Sequence, residues 1–208
     1  MLFVHILQIL FPSINEKLIL NNLAYVEIYR FVTSIFLHSS MEHLLQNVIG
    51  LMIFGLILEG VVGWKNFLKI FLLSGIIGNI AMLIYDPNIN GLGSSGGVMG
   101  IIGALAYLRP WMPVYFFAPL PVISLAIIYF IIDLIGLIHP TENIGYAAHI
   151  GGFITGVIWA HLNREKYKDI KTLEEDSEDI DDEEAYSIIK NINFRIEKYL
   201  NKYYNILL

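Results

Sequence analysis

The first 162 residues carry very few charges, and this limits most strongly what the chain can fold into. They contain five Lys and Arg and seven Asp and Glu, whereas residues 163–208 contain eight and twelve. Twelve charges are too few to cover the surface of a water-soluble globule of that size. Since 56% of all residues are hydrophobic, the composition argues against a soluble enzyme, a nucleic-acid-binding protein and a disordered protein.

Apolar segments account for most of this stretch. A bilayer core of about 30 Å needs roughly 20 apolar residues per helix, and five segments qualify, some only loosely. They are Met41–Val62, Asn66–Tyr85, Ser95–Leu108, Pro119–Ile138 and Ala147–Leu162. A sixth, Met1–Phe11, is too short to span at about 1.5 Å per residue and lacks the features of a signal peptide. We interpret it as a first helix clipped at its start, or as the result of a start codon assigned too late. The predicted fold class is an all-α, polytopic membrane protein with six transmembrane helices within residues 1–162.

Positive residues near the ends of the segments predict their orientation, because cytoplasmic loops are enriched in Lys and Arg. Lys17 and Arg30 fall on one side. Seven fall on the other, namely Lys65, Lys69, Arg109, Arg164, Lys166, Lys168 and Lys171. This bias places the C-terminus in the cytoplasm. Counted along the chain with Met1–Phe11 as the first, the second, fourth and sixth segments then begin at the outer face of the cell membrane.

The fourth segment is unusually short. Its fourteen residues before Arg109 and Pro110 give a helix of about 21 Å, so its outer end lies roughly 10 Å below the membrane surface. The polar connection at residues 86–94 must then dip into the membrane, where non-helical backbone needs protein or a watery cavity around it. A short helix with a submerged polar start predicts an active site.

Polar residues also open the second segment. His43 and Asn47 are four residues apart and share one helix face, so both side chains can donate hydrogen bonds to one point. Ser39 and Glu42 have the spacing of a capping box, which predicts that the helix starts there. Ordinary interhelical polar contacts remain the alternative for His43 and Asn47.

The fourth and sixth segments open with serine, histidine and glycine. Glycines flank Ser95, which lets backbone approach closely and leaves N–H groups free for an anion such as the oxyanion of acyl transfer. His149 lies one turn before Gly152, and Gly152 and Gly156 form a small-xxx-small pair typical of close helix packing. Taken singly, these residues fit a structural role. Together they place a nucleophile, a base and two donors at one depth in one leaflet.

At this point the chain resembles a family, the rhomboid intramembrane serine proteases, from about Arg30 to Gly156. The resemblance rests on four motifs in order and at matching spacing. They are H-x4-H-x3-N at His38, His43 and Asn47, with Glu59 further along; GxSG at Gly93, Ser95 and Gly96; AHxxGxxxG at Ala148, His149, Gly152 and Gly156; and Tyr29-Arg30 in place of the family's Trp-Arg pair.

The resemblance implies a catalytic Ser–His dyad, with Ser95 as nucleophile and His149 as general base. His43, Asn47 and the backbone N–H of Ser95 would form the oxyanion hole. Arg30 and His38 would support the first loop and the cavity of the site. Met99 stands where many members have an aromatic residue on the catalytic histidine, and a thioether can also pack on imidazole.

Other side chains support no further site in the sequence. Asp133 is interpreted as cavity-lining or structural, and no acidic third member of a triad is predicted. A metal site formed by His38, His43 and His149 is a weaker alternative, because it leaves the glycine-flanked Ser95 unexplained. Since the chain has no cysteine, thiolate metal or redox sites and disulfides are excluded. We predict no metal and no cofactor.

The C-terminal 46 residues divide into two segments. Residues 163–184 hold eleven acidic and four basic residues, a pattern typical of a solvated cytoplasmic linker. Residues 185–208 have apolar residues at helical spacing and basic residues on the other face, which predicts an amphipathic helix. Such a helix lies on an anionic leaflet or associates with a second copy, and we favour the membrane.

The leading functional hypothesis is an intramembrane serine endopeptidase that cleaves transmembrane segments of other membrane proteins near the outer face. Its partners would be those substrates and the lipid bilayer, and not nucleic acid. A non-proteolytic rhomboid relative that binds and traffics membrane proteins is the rival, although such proteins typically lack the serine or the histidine. A transporter is disfavoured, because no inverted repeat is visible.

Overall fold

A computed structural model describes residues 1–115, 119–140 and 144–167. The chain there is mostly helical. Its α-helices are α1 (Leu2–Leu10), α2 (Ser13–Leu18), α3 (Arg30–Thr33), α4 (Met41–Gly50), α5 (Leu56–Val62), α6 (Trp64–Tyr85), α7 (Ser95–Leu108), α8 (Val122–Ile138) and α9 (Tyr146–Tyr167). Two 3-10 helices, Asn22–Tyr25 and Ser34–Phe36, lie before α4, and a π-helical turn at Leu51–Gly55 joins α4 to α5. The predicted amphipathic helix at 185–208 and most of the acidic linker at 163–184 lie outside the described residues.

Within the described residues, two helices are long and apolar enough by themselves to cross a membrane core, namely the continuous helix Met41–Val62 and α6. The helices α7 and α8 are apolar but shorter. The nine residues of α1 give only about 14 Å. The prediction of six spans therefore stays a prediction.

The outward face of α8 shows what surrounds the bundle. Six isoleucines on this helix expose between 49% and 73% of their surface: Ile127, Ile128, Ile131, Ile132, Ile135 and Ile138. A contiguous apolar face of this kind is not stable in water and marks a contact with lipid or protein. The fold therefore presents a hydrocarbon-compatible surface, as the low charge of residues 1–162 predicts.

A small β-hairpin corrects the all-α prediction. Between α7 and α8, strand β1 (Pro113–Tyr115) pairs antiparallel with β2 (Pro119–Pro121). Prolines at 110, 113, 119 and 121 cannot continue a helix, so the chain leaves α7 in extended form. For the same reason the predicted segment Pro119–Ile138 becomes helical only from Val122.

Glycines bring α7 into backbone contact with α9. Twelve of the fourteen residues of α7 are buried. A methyl group placed on Gly152 would overlap the carbonyl oxygen of Gly96, and one on Gly156 would overlap the carbonyl oxygen of Gly100. These four residues, here called the glycine seam, fix the two helices at backbone distance.

The first loop, residues 19–40, is attached to the connection that precedes α7. Leu20 and Gly91 exchange two backbone hydrogen bonds of 2.9 and 2.8 Å, and the N–H of Gly93 donates to the carbonyl of Ser34 at 2.9 Å. Backbone pairing of this kind removes exposed polar groups from an apolar setting. The loop thereby fixes the approach of the chain to Ser95.

Candidate active site

The first turns of α4, α7 and α9 meet at one end of the bundle. A methyl group on Gly93, just before α7, would lie 2.8 Å from Nε2 of His43 on α4. One on Gly96 would lie 3.2 Å from the carbonyl oxygen of Ala148 on α9. His43, Ser95 and His149 are each at or beside these contacts, so the fold gathers the three predicted residues in one place.

Ser95 is the first residue of α7 and is half-buried. The N–H groups of Ser95, Gly96 and Gly97 open the helix and have no acceptor among the described residues. Free N–H groups and the helix dipole both favour negative charge at this point. Gly93 has φ +124°, a backbone conformation that L side chains rarely adopt. Glycine is therefore required two residues before the serine.

His149 lies in the first turn of α9 and binds an acid on another helix. Its Nδ1 is 2.8 Å from Oδ1 of Asp133 on α8, and the two side chains are 18% and 7% exposed. The edge of the Tyr146 ring meets the imidazole, with the centroids 6.5 Å apart. Asp133, interpreted from the sequence as cavity-lining or structural, contacts the predicted base directly through its carboxylate.

Ser95 and His149 lie on neighbouring helices and are not hydrogen-bonded to each other. Within the described ranges, no hydrogen bond of 3.5 Å or less joins the serine hydroxyl to the imidazole. Each residue is adjacent in sequence to the Gly96–Ala148 contact. Catalytic hydrogen bonds are often long in a free enzyme and shorten when substrate binds, so this separation is compatible with a nucleophile and its base.

His43 has its two ring nitrogens in different surroundings. Nδ1 is 3.1 Å from the Ser39 hydroxyl, while Nε2 faces the backbone at Gly93. The ring also interacts electrostatically with His149. If Ser39 donates to Nδ1, the proton of neutral His43 lies on Nε2, where it can reach an oxyanion next to Ser95.

The start of α4 differs by one residue from the predicted capping box. Ser40, and not Ser39, is the N-cap, and its hydroxyl accepts the N–H of His43 at 3.1 Å. Ser39 does not cap the helix, because the N-cap position requires an extended backbone and Ser40 adopts it with φ −151°. The displacement leaves the Ser39 hydroxyl available to the His43 ring.

Asn47 is buried one turn after His43 and is partly committed to its own helix. Its amide nitrogen donates to the carbonyl of His43 at 2.8 Å. An amide carries two N–H donors, so one remains for the site. Asn47 is thus placed beside His43 with half of its donor capacity in use.

His38 supports the serine turn from the first loop. Its Nε2 is 3.3 Å from the Ser94 hydroxyl, and its ring lies edge-on to His43 at 5.1 Å between centroids. The side-chain amide of Gln8 on α1 makes two hydrogen bonds to the backbone of His38. It accepts from the His38 N–H at 3.0 Å and donates to the His38 carbonyl at 3.2 Å. These contacts connect α1 to the turn that carries Ser95.

Arg30 is buried within the first loop and holds it together. Its guanidinium donates to the carbonyls of Glu16 and Ile19 at 3.0 and 2.9 Å, and its Nε is 2.6 Å from the Glu27 carboxylate. Hydrogen bonds from Tyr29 and then Arg30 lower the pKa of Glu27. Arg30 therefore contacts the loop and not the residues of the site.

Met99 lies in the main hydrophobic core, 6% exposed. The aromatic contact on His149 is made instead by Tyr146, three residues before it in the same helix. Sequence reasoning looked for this ring only at the position of Met99. The apolar turn before His149 contained the signal, since residues three apart in a helix are neighbours.

A metal site formed by His38, His43 and His149 is the weaker alternative from the sequence. In the part of the chain that the structure describes, no three His, Asp or Glu side chains converge closely enough to hold a metal ion. The contacts of His38, His43 and His149 are instead with Ser94, Ser39 and Asp133, respectively. Each ring is held by a different partner.

Comparison with known proteins agrees with the motifs. Residues 25–166 match the model of the Rhomboid domain. RHOMBOID-like protein 12, mitochondrial, of Arabidopsis thaliana is 27% identical over 175 residues, which cover 74% of this chain and 52% of that protein. Rhomboid protease GluP of Bacillus subtilis is 36% identical over 130 residues, 62% of this chain and 25% of that protein.

The relatives include proteins named as inactive. Inactive rhomboid protein 2 of Homo sapiens is 32% identical over 143 residues, 64% of this chain and 15% of that protein. The chain spans about half the length, or less, of these relatives. Because the family model covers most of the chain and agrees with the order of the sequence motifs, the resemblance is confirmed: this is a membrane protein of the rhomboid family.

Proposed function

We propose that the chain is an intramembrane serine endopeptidase with Ser95 as nucleophile and His149 as general base. The observation that carries the proposal is the meeting of the first turns of α4, α7 and α9, which brings His43, Ser95 and His149 to one end of the bundle. Each of these residues has the chemistry of one role in acyl transfer.

The reaction follows from these roles. The Ser95 oxygen bonds to the scissile carbonyl carbon while its proton passes to Nε2 of His149. The negative charge on the carbonyl oxygen is met by the Ser95 N–H, His43 and the free amide hydrogen of Asn47. The C–N bond then breaks and the amine leaves with the proton. Water hydrolyses the resulting ester by the same steps, and Ser95 regains its hydrogen.

The substrates would be transmembrane segments of other membrane proteins, cleaved near the outer face of the cell membrane. A helical segment hides its carbonyls in its own hydrogen bonds, so it must unwind locally to reach Ser95. The orientation rests on the distribution of Lys and Arg, with the C-terminus in the cytoplasm. Residues 185–208 would contact anionic lipid there or a second copy of the chain.

The test is covalent labelling of the purified protein with a fluorophosphonate, alongside cleavage of a model transmembrane substrate. We expect wild type to be labelled and active, and Ser95→Ala and His149→Ala to lose both properties while still folding. Ser94→Ala is the matched control, because it removes the neighbouring hydroxyl and should still be labelled. Full cleavage by Ser95→Ala would refute the assignment.

A second function is favoured by the similarity to a relative named inactive. In that case the chain would bind membrane proteins without cleaving them. A folded wild-type protein that is neither labelled nor active, but retains a transmembrane segment in detergent, would support this function. Labelling of Ser95 in wild type would exclude it.

A further inference from the structure

A buried carboxylate on α8 makes a single specific contact. Asp133 is 5% exposed in a helix whose other residues are almost all apolar. A charged group in such a place is unstable unless it is paired. Among the described residues, its hydrogen-bond partner is Nδ1 of His149, at 2.8 Å. The acid therefore has one evident role, which is to contact this imidazole.

The contact bears on which nitrogen of His149 carries the proton. When Asp133 is ionised it only accepts hydrogen bonds, so the hydrogen of the contact then lies on Nδ1. The lone pair of neutral His149 then lies on Nε2, the nitrogen on the opposite side of the ring. A general base requires this tautomer, because the lone pair must be the group that accepts the serine proton.

A second feature of α8 holds the same ring. Gly136, three residues after Asp133, is a position where an added methyl group would overlap the ring of Tyr146. Tyr146 thus lies against α8, and its edge meets His149 with an angle of 76° between the planes. One turn of α8 therefore restrains the imidazole in two ways: Asp133 contacts it directly, and Gly136 leaves room for the Tyr146 ring that packs against it.

We propose that Asp133 is a positioning residue for His149: it holds the imidazole in the Nδ1–H tautomer and stabilises the imidazolium that forms when Ser95 is deprotonated. The catalytic part of this proposal rests on the proposed proteolytic function, and the tautomer part does not. The arrangement would make the site a triad in which the acid comes from α8, the base from α9 and the nucleophile from α7.

Groups from several helices surround His149. Asp133 faces it from α8, His43 from α4 and Tyr146 from its own helix. Towards α6 and α7, the backbone of Ala148 next to His149 lies against Gly78 and Gly96, which carry no charge. The Asp133 carboxylate is therefore the one acidic group among these neighbours, and it contacts the ring directly.

The main experiment compares wild type with Asp133→Asn, which keeps the shape and removes the charge. We expect kcat to fall about 100-fold or more, as for the loss of such an acid in soluble serine proteases, with KM changed less than about twofold. Asp133→Glu should recover part of the activity.

Glu59→Gln is the matched control, because it neutralises another acid in an apolar helix. It should leave kcat unchanged. Thermal unfolding in detergent separates positioning from a structural role. A loss of activity in Asp133→Asn with a lower unfolding midpoint and no recovery in Asp133→Glu would overturn the proposal, as would unchanged activity.

The tautomer can be measured even if the chain proves to be no protease. Nitrogen NMR of protein with labelled histidine distinguishes Nδ1–H from Nε2–H, and His149→Gln identifies the resonance. We expect His149 to be Nδ1–H in wild type and a mixture in Asp133→Asn. An Nε2–H ring in wild type would overturn the proposal. Absence of Ser95 labelling together with an Nδ1–H ring would instead refute the proposed function alone.

Discussion

The glycine seam and the first loop hold the two sides of the candidate site in different ways. At the seam, Gly96 and Gly100 on α7 meet Gly152 and Gly156 on α9 with backbone against backbone. In the first loop, side chains such as Arg30 reach across to carbonyls at separations of up to 14 residues. One region depends on the absence of side chains and the other on long polar ones.

The difference predicts how each region responds to change. Backbone contacts cannot adapt to an added atom, because neither helix can move away without breaking its other packing. Hydrogen bonds to loop carbonyls can be replaced in part by water near the membrane surface. We therefore expect the seam to be intolerant of substitution and the loop to respond in a graded way.

The largest effect should come from adding one methyl group to the seam. Gly156→Ala would overlap the Gly100 carbonyl, and we expect a destabilisation of about 3 kcal/mol, at the upper end for an overpacked core. Fluorophosphonate labelling of Ser95 should fall with it. The measurement is thermal unfolding in detergent. Gly60→Ala is the control, since nothing lies within 4 Å of that position, and equal midpoints for the two variants would refute the rigid seam.

A smaller effect should follow from removing the guanidinium of Arg30. Arg30→Ala leaves the carbonyls of Glu16 and Ile19 without this donor, and we expect a loss of about 2 kcal/mol. Labelling of Ser95 should largely survive, because the seam is unchanged. Lys17→Ala, at an exposed position of the same region, should unfold like wild type. Complete loss of labelling in folded Arg30→Ala would show that the loop and the seam are not separable.

Ser39→Ala should affect turnover and leave stability almost unchanged. The variant removes the hydroxyl at Nδ1 of His43, so the ring loses the partner that favours a proton on Nε2. Since the contact is exposed, its loss should cost about 1 kcal/mol or less, roughly fivefold in kcat. Ser40→Ala provides the contrast, because it removes the N-cap of α4 and should lower the unfolding midpoint instead. If Ser39→Ala has wild-type kcat, Ser39 does not set the tautomer of His43.

A further effect concerns pH and the first loop. Burial, followed by the nearby His43, lowers the pKa of His38 to about 4, below the value of about 6.5 in an unfolded chain. The unfolded state then binds more protons, so stability is full above about pH 6.5 and declines as the pH falls towards 4. His38→Gln should make the unfolding midpoint less dependent on pH across this window. A Gly156→Ala protein should keep the wild-type dependence, and an identical slope in His38→Gln would contradict the assignment.

Sequence patterns were informative where the determinants are local. Apolar runs place α4–α5 and α6 near their observed bounds, since hydrocarbon length fixes them, whereas α7 ends where Arg109 and Pro110 interrupt its apolar run. Glycine spacing on α9 reflects a contact that the neighbouring helix also encodes, at Gly96 and Gly100. The family motifs identified His43, Ser95 and His149 as candidate site residues, because the order and spacing of the motifs are specific.

The contacts that sequence reasoning missed join separate helices. Asp133 and His149 are 16 residues apart on different helices, and no local period relates them. Gln8 reaches His38 across 30 residues. The hairpin was missed for another reason, because an apolar run starting at Pro119 was assigned wholly to a helix although its prolines favour extended backbone.

The short α7 also has a consequence for how the protein is made. It carries four glycines in fourteen residues, and each weakens a helix by about 1 kcal/mol relative to alanine. Such a segment is a poor membrane anchor on its own as it leaves the ribosome. It gains its partners in the seam only when α9 has been synthesised and inserted. The nascent chain therefore stays without a firmly placed Ser95 until translation has passed Gly156.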